Sequence, residues 1–216
     1  MPRLPIQYVG ICQNMPTLRS IDTSAVDLVK KQGLVRLRDF EEQGIPRAKV
    51  LRWTSEGRLG RVARGLYALP GQDFGENDSL VRVAKLVPDA VICLLSALSV
   101  HGLTTQNPSE VWIGIDRKAR RPRLEWPPLH VVWWSGDALT DGVNERKLGR
   151  IPVRVTTPSR TVADCFKYRS KIGPDVALEA LRDFRRKRAG SLDELHRAAK
   201  VCRVDRVVRT YLEAMT

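Results

Sequence analysis

The spacing of apolar positions along this chain changes several times, and each change marks an element. Residues 24–32 keep their apolar side chains on one helical face and stop at Gly33. A short helix follows, with Gly44 as its turn residue. A second helix opens at Pro46, which suits a first helical turn because its missing N–H would be unpaired there. Gly57 suits the position just past that helix. Between them Val50, Trp53 and Thr54 fall at the three- and four-residue spacing of a buried face, with Ile45 packing in from the turn. At ~100° per residue the opposite face carries Ala48, Leu51, Arg52 and Ser55. The period then drops to two. Residues 58–62 and 65–69 alternate around Ala63-Arg64-Gly65, the pattern of a β-hairpin with Arg61 and Arg64 at its tip.

Residues 70–78 (PGQDFGEND) are rich in Gly, Asp and Asn and divide the chain. Beyond them the pattern predicts a helix over 79–87, stopped by Pro88, and another over 89–101, stopped by Gly102. Strands are expected over 110–116, 129–135 and 151–156, where alternation or β-formers dominate. The tail reads as helices over 159–168, 175–187, 191–201 and 203–214. The expected fold class is α+β. A flexible arm (1–20) precedes a helix-turn-helix domain with a hairpin wing (21–72), and then an α+β domain with a small sheet flanked by helices (79–216).

A helix, a turn glycine, a second helix bearing cations and a basic hairpin are the parts of a winged helix-turn-helix, in order. The N-terminal end of a recognition helix is the part that reaches base edges. Arg52 is the candidate for direct readout, because its fork can pair with guanine O6 and N7. Arg47 and Lys49 fit either base reading or phosphate clamping. Arg61 and Arg64 suit a wing lying along a phosphate backbone or a minor groove. The competing reading is a solvated basic face on an ordinary α+β module. Agreement between helix, turn, cap and hairpin favours DNA.

Charge adds weight to that choice. The chain of 216 residues carries 37 Lys and Arg against 24 Asp and Glu, a formal net charge of +13. Such an excess draws nucleic acid or an acidic partner. Arg117, Lys118, Arg120, Arg121 and Arg123 crowd one loop between two strands. They form a second candidate phosphate site, set against the ordinary reading of a soluble hairpin loop. Arg182, Arg185, Arg186, Lys187 and Arg188 close a helix, where the dipole alone favours cations.

Other chemistry finds less support. Cys12, Cys93, Cys165 and Cys202 form no CxxC pair, which argues against structural zinc and points to a reducing cytoplasm. The longest apolar run, residues 90–100, is about half the ~20 residues a membrane-spanning helix needs. The N-terminus lacks a signal-peptide core, and Met15 is an alternative translation start. Of the three histidines, His101 precedes a helix-ending glycine, His130 begins a strand and His196 lies in a charged helix. None fits a nucleophile–base pattern, and no phosphate-cradling GxxxxGK motif occurs. Asp116 and Glu125, with Lys118 between them, would be the only nuclease candidates near the basic loop. Asp164 is expected to pair with Arg160 one helical turn earlier. The chain is therefore read as a non-enzyme needing neither metal nor cofactor.

Three segments carry a family resemblance: residues 33–69 (GLVRLRDFEEQGIPRAKVLRWTSEGRLGRVARGLYAL), 95–103 (LSALSVHGL) and 155–165 (VTTPSRTVADC). Together they make residues 21–216 resemble the AbiEi-type antitoxins of abortive-infection toxin–antitoxin systems. The resemblance implies a repressor that binds inverted repeats in double-stranded DNA upstream of its own operon, with two copies on the operator. It also implies opposition to a cognate toxin resembling nucleotidyltransferases. Arg47, Lys49, Arg52, Arg61 and Arg64 fall on the family's DNA-contacting helix and wing. Arg197, Lys200, Arg203, Arg206 and Arg209 continue the basic character through the last helices, a face that would either dock an acidic toxin surface or extend the DNA footprint. Trp53, where the recognition helix commonly has an aliphatic residue, and the N-terminal arm depart from the pattern. The alternatives are a direct toxin-binding protein without specific DNA recognition, and a DNA-binding nuclease.

Overall fold

The computed structural model describes residues 22–215. The expected arm over 1–20, with Cys12 and Met15, lies outside them. The chain forms two compact units that divide between Gln72 and Asp73, and the architecture is α+β.

In the first unit α1 (Thr23–Gln32) buries Ala25, Val26 and Val29. β1 (Val35–Arg36) leads into α2 (Leu37–Glu42). Arg36 anchors that helix start: its backbone N–H and its guanidinium both reach the Asp39 carboxylate, at 3.1 and 3.0 Å. After the Gly44 turn comes α3 (Arg47–Ser55), which buries Val50 and Trp53. Trp53 is fully enclosed in a small core with Val29, Phe40, Ile45, Leu59 and Tyr67. Truncating such a tryptophan costs ~3–5 kcal/mol, about as much as a core of this size supplies. β2 (Gly60–Ala63) and β3 (Leu66–Ala68) pair antiparallel, and β1 joins the far side of β3. Gly65 closes the hairpin at φ +74°, a backbone state that a β-carbon disfavours. The helix-turn-helix expected from the sequence is the arrangement observed.

Details differ. Pro46 is the residue before the first turn of α3, with extended ψ 144°, rather than part of it. The hairpin is shorter than expected, because the N–H groups of Arg58 and Leu59 both turn back to the Trp53 carbonyl and finish the helix. β1 went unforeseen because two residues are too few to show a period.

The second unit is built on a five-stranded sheet in the order β6-β5-β4-β8-β7. Its strands are β4 (Val91–Ile92), β5 (Val111–Asp116), β6 (Leu129–Trp134), β7 (Val143–Leu148) and β8 (Ile151–Thr156). β4 runs antiparallel to β5 and parallel to β8; β5 and β6 are parallel; β7 and β8 are antiparallel. The helices are α4 (Asp78–Leu86), α5 (Leu94–His101), α6 (Pro158–Lys167), α7 (Arg169–Ile172), α8 (Pro174–Arg186), α9 (Leu192–Val201) and α10 (Asp205–Ala214). One large core joins Trp112, Val132 and Trp134 of the sheet to α5, α6, α8 and α9. Gly114 makes room for it: a β-carbon there would lie 2.4 Å from the Trp134 ring.

Two expectations fail here. The single helix expected over 89–101 is β4 followed by α5. Val91, Ile92, Cys93 and Leu94 are all buried, and a run that is apolar on every side has no period to separate strand from helix. β7 (VNERKL) differs for the opposite reason, since an edge strand whose middle is Asn, Glu, Arg and Lys shows no apolar alternation.

Candidate nucleic-acid interface

α3 turns one face outward. Arg47, Ala48, Leu51, Arg52 and Ser55 are exposed, while Val50 and Trp53 point into the core. Arg52 keeps 63% of its side chain exposed and only approaches Glu56, at 3.8 Å. The Ser55 hydroxyl donates to the Arg52 carbonyl at 2.8 Å, so it closes the helix end. Lys49 is placed differently from the other cations: its ammonium is bonded to the Asp22 carboxylate and lies 5.6 Å from the centre of the Trp53 ring. That side chain ties the start of α1 to α3.

The hairpin holds its cations on a firm base. Leu66, Tyr67 and Ala68 are buried, and Tyr67 meets the Phe40 ring edge-on at 6.2 Å. Arg61, opposite Tyr67 in the β2–β3 ladder, and Arg64, in the turn, are both exposed. Arg38 on α2 also keeps 62% of its side chain exposed, and Leu51 is 43% exposed. Helical periodicity places Leu51 on that outward face, and the structure leaves it there as an apolar contact surface beside Arg52. Nothing in the sequence pattern pointed to Asp22.

In the second unit Arg117, Lys118, Arg120, Arg121 and Arg123 are all exposed. Because β5 and β6 run parallel, the segment joining them is a crossover and not the hairpin loop weighed from the sequence. Arg120, Arg121 and Arg123 line a groove of about 510 Å³ with Leu86 and Val87. The Lys118 N–H donates to the Asp116 carboxylate at 2.6 Å, so that carboxylate shapes the turn. Among the described residues no group of three or more His, Cys, Asp or Glu side chains is placed to hold a metal ion. At the end of α8, Arg186 and Lys187 pair with Asp183 at 2.6 and 2.9 Å, as helix-end cations with a local role do.

The two segments 95–103 and 155–165 form a buried polar network instead of a surface site. Ser96 accepts the Trp112 N–H at 2.9 Å. His101 Nε2 lies 2.6 Å from the Thr156 carbonyl; a carbonyl only accepts, so Nε2 carries the proton. Burial, helped by the nearby Arg146 cation, holds His101 below its ordinary value against the pull of that hydrogen bond. The Thr157 hydroxyl caps α6 by accepting the Arg160 N–H at 3.3 Å. Arg160 is 1% exposed and its Nε lies 3.0 Å from the Asp164 carboxylate, which is fully enclosed. Its Nη1 donates to the Asp141 carbonyl at 2.7 Å, and its guanidinium lies 5.3 Å from the Trp134 ring centre. Cys202 donates to Asp164 at 3.1 Å. Burial pushes that thiol up to about 12, with the Asp164 charge adding to the effect. A thiol so protonated is a packing group, not a nucleophile.

No curated protein matches the chain. Among solved structures it is similar to the crystal structure of RV2827C protein from Mycobacterium tuberculosis. The two share 16% sequence identity and a TM-score of 0.57, over 87% of this chain and 72% of that one. At that identity the likeness concerns the fold. No helix among the described residues is long and apolar enough to cross a membrane. Residues 25–70 match the family model described as “Transcriptional regulator, AbiEi antitoxin”, a match that takes in most of α1, both helices of the helix-turn-helix and the basic hairpin.

Proposed function

We propose that this protein is a DNA-binding transcriptional autorepressor and the antitoxin of a toxin–antitoxin pair. The observation that carries the reading is the outward face of α3, where Arg47 and Arg52 stand clear on a unit that matches a family of transcriptional regulators. On this reading α3 enters the major groove and Arg52 pairs with a guanine edge. Arg47 lies at the N-terminal end of the helix and contacts bases or the flanking phosphates. Arg61 and Arg64 hold the wing to the backbone and carry affinity without sequence preference. Lys49 ranks below Arg52, because Asp22 already engages its ammonium.

The partners are then double-stranded operator DNA with inverted repeats, two copies of the chain, and a cognate nucleotidyltransferase-like toxin in the same cytoplasm. The protein acts by binding and not by catalysis. Exposed Arg117, Lys118, Arg120, Arg121 and Arg123 offer a second contact, to DNA or to the toxin. That basic groove also favours the second reading, direct capture of the toxin without specific DNA recognition.

A mobility-shift titration separates the two. The DNA upstream of the gene is compared with a scrambled fragment at near-physiological salt. Preference for the upstream fragment, lost in Arg52→Ala, supports the autorepressor. Equal, weak and salt-sensitive binding to both would refute it in favour of toxin capture.

A further inference from the structure

The two edges of the five-stranded sheet are built on different plans. β7 presents Asn144, Glu145, Arg146 and Lys147, all exposed, and charged side chains on an edge strand discourage a further strand from adding. β6, at the other edge, reads LHVVWW, with no acidic residue, lysine, arginine or proline. It pairs with β5 in unbroken register from Leu129 to Trp134, without a bulge.

A parallel ladder engages alternate residues of each strand. The Val111 N–H donates to the Pro128 carbonyl and the Arg117 N–H to the Trp134 carbonyl. That phase turns the backbone groups of His130, Val132 and Trp134 toward β5 and those of Leu129, Val131 and Trp133 outward. Among the described residues the outward groups have no hydrogen-bond partner. The side chains of these same residues share one face of the sheet, and Trp133 is 44% exposed, whereas Val132 and Trp134 are buried.

We propose that β6 is the docking edge for a second copy of this chain, paired antiparallel about a two-fold axis at Val131. Only residues whose backbone faces outward can exchange hydrogen bonds across such an edge. The register follows: Val131 lies opposite Val131 of the second copy, and Leu129 lies opposite its Trp133. Every outward N–H and C=O on both strands is then engaged, and each exposed Trp133 ring covers a leucine. The self-complementary register favours a second copy as the occupant, and charge does not oppose one at this edge. Elsewhere the surface of a chain with net charge +13 repels its own kind, whereas the outward residues of β6 are uncharged and oppose no cation to another. The contact is isologous and closes at two copies. It rests on the sheet edge alone and does not depend on the DNA reading.

Cross-linking tests the register. The background is the full chain with Cys12→Ser; Cys93, Cys165 and Cys202 are buried. In a hydrogen-bonded antiparallel pair the Cα atoms lie ~5.5 Å apart, within disulfide range. Val131→Cys is expected to form a covalent dimer under mild oxidation. Leu129→Cys alone should not, but mixed with Trp133→Cys it should yield a cross-linked pair. A monomeric Val131→Cys, or equal cross-linking of Leu129→Cys alone, would overturn the proposal. Sedimentation equilibrium without any cross-link adds a second arm. The native chain should move from monomer to dimer as concentration rises, and Val131→Lys should stay monomeric with an unchanged circular dichroism spectrum. Hydrogen exchange names the occupant. If the Leu129, Val131 and Trp133 amides are already protected in dilute monomer, and lose that protection when residues 1–20 are deleted, the chain's own N-terminus fills the edge and the proposal falls.

Discussion

Arg52 and Arg160 lie in segments that both carry the family resemblance, one in each unit, and the structure treats them in opposite ways. Arg52 is 63% exposed and only approaches Glu56. Arg160 is 1% exposed, and its donors reach the Asp164 carboxylate and the carbonyls of Asp141 and Ala138. A guanidinium in water keeps its fork for a ligand, whereas a buried one has its donors committed to the fold. A distinctive motif therefore has two unlike causes in this chain. In the first unit it describes a surface; in the second it describes how α5, β8 and α6 are fastened together.

The largest expected effect tests the buried half of that contrast. Asp164→Ala leaves Arg160 charged and without its carboxylate in the core, which should cost ~3–5 kcal/mol in urea unfolding. A loss below ~1 kcal/mol would mean that Arg160 reaches water, and the distinction between the two arginines would collapse. Arg52→Ala tests the exposed half. Its unfolding free energy should stay within ~0.5 kcal/mol of the native chain, while discrimination between operator and scrambled DNA falls by ~1–3 kcal/mol. A destabilised Arg52→Ala with intact preference would reverse the assignment.

Arg64→Ala sharpens the comparison within the first unit. Binding should weaken on operator and scrambled DNA alike, and the salt slope should drop by about 1 on both. An altered base preference would give the hairpin a reading role. The smallest effect concerns pH. Burial lowers the His101 value, so the unfolded chain takes up the proton near pH 6.5 and the folded chain does so only at lower pH. The stability contribution is complete above about pH 6.5 and is lost as pH falls toward the folded value. Thermal melts of the native chain should therefore decline between pH 7 and 5 more than those of His101→Gln. Parallel melting curves would place His101 outside the network.

The outward face of α3 was legible because helical period is a local property: Val50 and Trp53 name the buried side, and Arg52 must then lie on the other. The Arg160–Asp164 pair was legible for the same reason, as residues one turn apart. Its burial was not. α6 buries every residue from Ser159 to Phe166, polar ones included, because it lies within the large core with α5, α8 and α9 around it. No pattern of apolar positions announces a helix enclosed on all sides. β4 escaped notice because its neighbours are as apolar as it is, and β7 because it is charged.

The sequence by itself determined the helix-turn-helix, the hairpin and the cations they carry outward, since each depends on spacing over a few residues and on turn glycines. Only the tertiary structure decided which charged and polar groups are free. Thr156 meets His101 across 55 positions and Asp164 meets Cys202 across 38, and contacts that distant are set by how strands and helices pack. The same holds for the sheet edges. Strand order leaves β6 and β7 outermost, and the phase of the β5 ladder selects which backbone groups of β6 face out.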